Sequence, residues 1–265
     1  MKEEDLVEGA CDAAHTVVLA HGAGAPMDSP FMNRVSAGLA LRGIRVVRFE
    51  FSYMAKRRSE GKRGAPDREP ALRARWKEVI ARFGGGARVV VAGKSLGGRI
   101  ASMVADEVGA RGLVCLGYPF HPPGDPSRLR TAHLAGLRTP TLIVQGTRDP
   151  FGTREDVAGY TLSAAIRIAW IEAGDHSFKP PARSGRTEAQ NVEEGIAAVA
   201  AFVGELPPRE GRAFLGWIDG GGRTEERPRE GPHEPAENAA GGLPAGECLE
   251  ALDLLHDEVA DREKP

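Results

Sequence analysis

The pentapeptide Gly93-Lys94-Ser95-Leu96-Gly97 constrains this chain more than any other stretch. It follows the apolar, β-branched run Arg88-Val89-Val90-Val91-Ala92 and precedes a helical pattern from Gly98 through Val108. A strand that passes directly into a helix through G-x-S-x-G makes a turn so tight that the residues two positions either side of the serine must be small. Gly93 and Gly97 meet that need, and Gly98 eases the approach of the helix to the sheet. The pattern predicts that Ser95 is presented at the end of a strand, in a nucleophile elbow. In a chain with 34 glycines the five residues alone are weak evidence, and the strand before and the helix after give them weight.

The same alternation runs through the first 206 residues. Runs at 16–20, 44–51, 112–117, 141–146 and 165–171 read as strands, and the continuous apolar run at 16–20 suits a sheet covered on both sides. Helical spacing at 31–41, 69–83, 153–163 and 187–203 separates them, the last with Val192, Ile196, Val199 and Val203 on one face. A basic, glycine-containing loop is expected from Ala55 to about Arg68. Strands alternating with helices predict an α/β fold, a mostly parallel doubly wound sheet with helices on both faces. The expected organisation is an N-terminal segment at 1–13, the domain at 14–206 and a tail at 207–265.

Within the tail, 207–246 is rich in Gly, Pro, Glu and Arg and poor in aliphatics, a composition expected to stay disordered. Two apolar islands interrupt it: Phe214-Leu215-Gly216-Trp217-Ile218, and a short helix expected at 248–260 with Leu249, Leu252, Leu255 and Val259 as a stripe. The first is a candidate docking motif for a protein partner or else packs on the domain, and the second is a candidate partner-binding helix or else a marginal segment that frays alone. A net charge of −2 gives no reason to expect nucleic acid or an anionic membrane as partner. Cys11, Cys115 and Cys248 form no metal or disulfide spacing, so no metal is expected, and the usage fits a reducing, cytoplasmic location. The acidic N-terminus carries no apolar core of a signal peptide, and no apolar run reaches the roughly 20 residues that span a bilayer.

A serine hydroxyl needs a base in hydrogen-bond reach, and the base needs an acid to orient it. After a serine in such an elbow, the acid and then the histidine follow along the chain. Asp149, just past the strand at 141–146, is the expected acid, and His176, a short loop after the strand at 165–171, is the expected base. Asp175 competes as acid, but adjacency to His176 hinders it from reaching Nδ1 of the same ring. His121 and His133 precede Asp149 and break the order, and His233 and His256 fall in the tail. For an oxyanion, the backbone N–H of Leu96 is one expected donor, and Ala23 or Gly24 in the loop His21-Gly22-Ala23-Gly24 supplies the other. His21 reads as an anchor for that loop. The loop lacks the full glycine patterns of nucleotide sites. Tyr53, Tyr118, Phe120 and Phe178 are candidates for a substrate pocket or, equally, packing residues. The basic run Tyr53-Met54-Ala55-Lys56-Arg57-Arg58 is either a positive rim or a solvated surface.

Four blocks resemble the small α/β-hydrolases: 21–32, 93–99, 146–152 and 174–178. More narrowly they resemble the bacterial relatives of testis-expressed protein 30 and NSL complex subunit 3. The resemblance covers about 14–204. It implies an α/β-hydrolase fold with minimal or no lid, Ser95 as nucleophile, Asp149 as acid, His176 as base and no cofactor. The resemblance implies no substrate; the Ser95, Asp149 and His176 pattern itself sets the expectation of a serine hydrolase acting on the ester or similar acyl bond of a small molecule. Members are often named dienelactone-hydrolase-like, yet dienelactone hydrolases carry a cysteine where this chain has Ser95. Because eukaryotic relatives include a chromatin-complex subunit, the resemblance also admits a non-catalytic interaction module.

Overall fold

The computed structural model describes residues 5–61 and 64–207. The domain is built on a seven-stranded sheet in the order β1-β3-β2-β4-β5-β6-β7. Its strands are β1 (Leu6–Glu8), β2 (Thr16–Ala20), β3 (Arg45–Phe49), β4 (Val90–Lys94), β5 (Gly112–Leu116), β6 (Thr141–Gly146) and β7 (Ile166–Ile171). All neighbours are parallel except the edge pair β1 and β3.

The continuous apolar run at 16–20 is explained by helices on both sides. Along β2, Val18 and Ala20 enter one core and Val17 and Leu19 the other, and β4 divides Val91 from Val90 and Ala92 likewise. This is the period of two of a pleated strand. One core holds α3 (Glu69–Arg82) and α4 (Leu96–Val104), with Trp76 and Ile100 fully buried. The other holds α1 (Pro30–Ala40) and α6 (Glu188–Glu205). Gly38 permits α1 to lie against α6, because a Cβ there would come 2.8 Å from Ile196 Cδ1. Helix α6 starts at a capping box in which Thr187 and Gln190 satisfy each other's backbone N–H.

Several local features differ from the sequence reading; α4, for one, stops at Val104 rather than Val108. The segment at 1–13 contributes β1, whose register sets Leu6 against Arg48 and Glu8 against Val46. Arg48 is 3% exposed, and its guanidinium donates to Glu8 Oε1 at 2.7 Å, to Met27 O at 2.8 Å and to Asn33 Oδ1. The expected loop from Ala55 begins instead inside a helix, α2 (Ser52–Glu60), which stops at left-handed Gly61. Only Tyr53 and Met54 are buried there, so α2 shows no apolar stripe in the sequence. Helix α5 (Arg154–Ala158) is shorter than expected and ends at Gly159.

The connection from β5 to β6 contains only a single 3-10 turn, Leu134–Gly136, and no cap domain. The tail from 208 onward, with its expected disorder and the helix at 248–260, lies outside the described residues.

Candidate active site

Ser95 stands between β4 and α4 with φ 49° and ψ −113°. A side-chain-bearing residue at positive φ is strained by about 1–3 kcal/mol and persists only when its surroundings enforce it. The surroundings here are glycines. A Cβ on Gly93 would lie 2.3 Å from both Gly97 C and Gly98 N, and one on Gly97 would lie 2.6 Å from His21 O. The strand, the turn and the first turn of α4 therefore touch backbone to backbone.

The loop after β7 brings His176 over this turn. Its Nε2 lies 2.9 Å from Ser95 Oγ and its Nδ1 2.7 Å from Asp149 Oδ2. With Asp149 ionised, Nδ1 carries the proton and Nε2 accepts from the serine hydroxyl. Asp149 is fully buried, and its Oδ1 accepts the Phe151 N–H at 2.9 Å. Its Oδ2 also accepts Gln145 Nε2 at 2.9 Å. The Gln145 amide is itself pinned, since its oxygen accepts from Tyr118 N and its nitrogen also donates to Tyr118 O and Gly152 O. Asp175 turns away from the ring: its Oδ1 accepts the N–H groups of Ser177 and Lys179 and shapes the histidine loop.

Lys94, the residue before the serine, donates from Nζ to His176 O at 2.7 Å and lies 5.7 Å from the centre of the Phe31 ring. Desolvation beneath the histidine loop lowers its pKa to about 8. Burial is also the main reason that the His176 pKa falls below its ordinary 6.5; the Asp149 hydrogen bond opposes the fall and the Lys94 charge adds to it. An enzyme using neutral His176 as base gains activity as pH rises through that pKa. The acid limb of kcat/KM is therefore expected below pH 6.5. Lys94→Met removes a charge that disfavours imidazolium, so the limb is expected to move to higher pH. A pH–rate profile of the two proteins checks both the position and the direction.

His21 is buried and has its pKa lowered chiefly by burial. Its Nε2 accepts the Phe51 N–H at 3.1 Å, leaving Nδ1 to donate to Gly22 O at 2.6 Å. It thereby ties the loop after β2 to the segment between β3 and α2. The loop passes Ser95, and the N–H groups of Ala23, Gly24 and Leu96 have no backbone acceptor among the described residues.

Two cavities flank Ser95. The larger, about 360 Å³, is lined by Ala25, Phe31, Met32, Lys94, Phe151 and His176 among others. The smaller, about 230 Å³, is lined by Pro66, Leu96, Arg99, Pro119 and Arg130, and Ala23, Ser95 and Phe151 border both. None of Tyr53, Tyr118, Phe120 and Phe178 lines either cavity. Tyr53 lies beneath the loop, its hydroxyl 3.2 Å from Gly22 O and 3.3 Å from Ala23 O. Tyr118 donates to Arg130 O and packs at a tilt against Phe120 inside the core, and Phe178 packs on Phe31. Of the basic run, Arg58 is taken up by Asp28 and Glu50. A third depression, about 480 Å³, is lined by Thr147, Arg148, Thr153, Arg154, Glu155 and Glu172 and contains no nucleophile–base pair.

A second serine–histidine contact joins Ser102 Oγ and His133 Nε2 at 2.8 Å. Ser102 is 3% exposed within α4 and donates to Arg99 O, and no carboxylate hydrogen-bonds the His133 ring among the described residues. It borders neither cavity beside Ser95. Among the described residues no group of three or more His, Cys, Asp and Glu side chains is placed to hold a metal ion.

Sequence reasoning missed Gln145, Lys94 and Phe151, whose ring centre lies 4.2 Å from that of His176. Gln145 left one signal, an amide directly after the apolar run Leu142-Ile143-Val144 of a buried strand.

Residues 13–204 match a family model described as an alpha/beta hydrolase domain. The chain belongs to the α/β hydrolase family. Solved structures agree on the fold. Dienelactone hydrolase from Anabaena variabilis is 19% identical with a TM-score of 0.59, over 76% of this chain and 91% of that one. An α/β serine hydrolase without lid from Xanthomonas campestris is 18% identical with a TM-score of 0.53, over 77% and 89%. Est1E from Butyrivibrio proteoclasticus, with ferulic acid bound, is 14% identical with a TM-score of 0.57, over 77% and 94%. Among the described residues no cap is inserted between β5 and β6, and the Xanthomonas protein is described as having no lid.

Proposed function

We propose that this α/β hydrolase is a serine hydrolase that cleaves an ester or similar acyl bond of a small molecule, with Ser95 as nucleophile. The observation that carries the reading is the unbroken relay from Ser95 Oγ to His176 at 2.9 Å and on to Asp149 at 2.7 Å. His176 Nε2 takes the hydroxyl proton as Oγ bonds to the substrate carbonyl carbon, and the carbonyl oxygen becomes an oxyanion. The N–H of Leu96, at the first turn of α4, and that of Ala23, which borders both cavities, are the donors assigned to that oxyanion. The C–O bond to the leaving alcohol breaks as His176 returns the proton to it. Water then attacks the acyl-enzyme with His176 again as base, releasing the acid and restoring the Ser95 hydroxyl. Asp149 holds the ring in the required tautomer and stabilises its charged form. The finer kinship, to the bacterial relatives of testis-expressed protein 30 and NSL complex subunit 3, is part of this reading. So is a small acyl substrate, supported by the ferulic acid bound to Est1E.

Fluorophosphonate labelling tests the assignment. The parent and Ser102→Ala are expected to label, and Ser95→Ala and His176→Ala to remain unlabelled while folded. Labelling that survives Ser95→Ala and disappears in Ser102→Ala would transfer the role to the second pair. A folded parent that does not label would overturn the hydrolase reading in favour of a binding module.

A further inference from the structure

The two cavities beside Ser95 differ in what they offer a substrate, and His176 decides which part of an ester enters each. The leaving alcohol must receive its proton from His176, which lines the larger cavity and not the smaller. The alcohol part therefore extends past Phe31 and Met32, and the acyl part extends past Leu96 into the smaller cavity.

The smaller cavity is cationic. Arg99 projects from the first turns of α4, and Arg130 comes from the connection between β5 and β6. Both are partly buried. Their charges repel, and burial together with the charges of Arg99 and Arg128 pulls the Arg130 pKa down. Arg130 has no carboxylate partner among the described residues. The acid facing Arg99 is Glu69, at 3.8 Å, which also serves Arg73 at 3.7 Å. The Lys94 ammonium belongs to the other cavity and is engaged by His176 O. Two guanidiniums held together at a nucleophile with little neutralisation form a site for an anion, because a planar fork of donors matches carboxylate and phosphate-like oxygens.

We propose that the acyl part of the substrate carries an anionic group on a short chain, a carboxylate or a phosphonate-like group, docked between Arg99 and Arg130 while the scissile carbonyl lies on Ser95. The proposal rests on the hydrolase reading above. With a volume of about 230 Å³, the cavity has room for such a chain.

Three butyl esters separate the possibilities by proton release at constant pH: monobutyl succinate, butyl 3-phosphonopropanoate and the neutral butyl pentanoate. The parent is expected to favour at least one anionic ester over the neutral one by tenfold or more in kcat/KM. The better anion identifies the head group. Arg99→Gln and Arg130→Gln are each expected to lower the anionic-to-neutral ratio by roughly 10- to 100-fold, the range for a hydrogen bond to a charged group, and Arg130→Lys to recover part of it. Calorimetric binding of monobutyl succinate and butyl 3-phosphonopropanoate to Ser95→Ala, with and without Arg130→Gln, provides a readout that does not depend on turnover. Esters cleaved with no charge preference, or with a preference that survives both arginine substitutions, overturn the anion site and leave the hydrolase reading standing. Arginine-dependent binding without cleavage of any ester by the parent supports the anion site and overturns the hydrolase reading. Absence of both binding and charge preference overturns the proposal outright.

Discussion

Asp149→Asn is expected to lower kcat about 10⁴-fold, comparable to the loss when a triad acid no longer fixes the histidine tautomer. The reason lies in who faces this carboxylate. Oδ2 accepts from His176 Nδ1 and Gln145 Nε2, and Oδ1 accepts from Phe151 N–H. An asparagine must set its NH₂ against one of these donors. Facing Oδ2's partners, it meets the Gln145 NH₂ and drives His176 to the tautomer that cannot accept from Ser95. Facing Phe151, it keeps the tautomer, leaves a buried N–H unpaired and still removes the charge that stabilises imidazolium. Gln145 cannot relieve the conflict by flipping, because its oxygen and nitrogen already answer Tyr118 N–H and two carbonyls. An unpaired buried donor also costs about 1–3 kcal/mol of stability. Steady-state kinetics on any ester that the parent cleaves, with urea unfolding alongside, check both parts. A loss below tenfold in kcat would remove Asp149 from the relay.

Gly93→Ala is expected to damage stability and activity together. The added Cβ would sit 2.3 Å from Gly97 C and Gly98 N, which are backbone atoms and cannot swing aside as a side chain would. Forcing an extra methyl into a packed interior costs typically 1–3 kcal/mol, and here the displacement falls on the turn that aims Ser95. A shift of about 1 Å at a reacting group can cost 10²-fold in rate. The variant is expected to lose at least about 2 kcal/mol by urea unfolding and about 100-fold in kcat. A variant with the parent's midpoint and kcat would mean that the elbow has slack that its φ of 49° does not suggest.

The fold was legible because the central strands β2, β4, β5 and β6 are buried on both faces and are made almost wholly of apolar residues. Ser95, Asp149 and His176 were legible for a different reason: each sits where a strand ends, and elbow, acid and base follow one another in a fixed order. What stayed hidden depends on contacts distant in sequence. Helix α2 shows only Tyr53 and Met54 to the core, too few to mark a period. Strand β1 is three residues long and has meaning only beside β3. The aromatic pocket candidates became core because nothing in composition separates a ring lining a cavity from one filling the interior. Phe31, Met32 and Phe151, which do line it, carried no signal beyond being apolar. Arg99 and Arg130 lie 31 positions apart and meet only through the packing of α4 against the loop after β5.

The pairing of Glu8 with Arg48 bears on where the self-sufficient folding unit begins. The family match opens at residue 13, and a gene cut there would still encode the six parallel strands. It would also discard the carboxylate beside a guanidinium only 3% exposed, and an interior charge stripped of its counterpart is strongly destabilising. Arg48 also holds Met27 O and Asn33 at the far end of the loop that carries Ala23 and Gly24. Trimming to the homology boundary would therefore loosen the loop facing Ser95 from behind. A truncated protein that expressed well yet turned over poorly would invite a search for missing catalytic groups, when the fault lay in a three-residue edge strand.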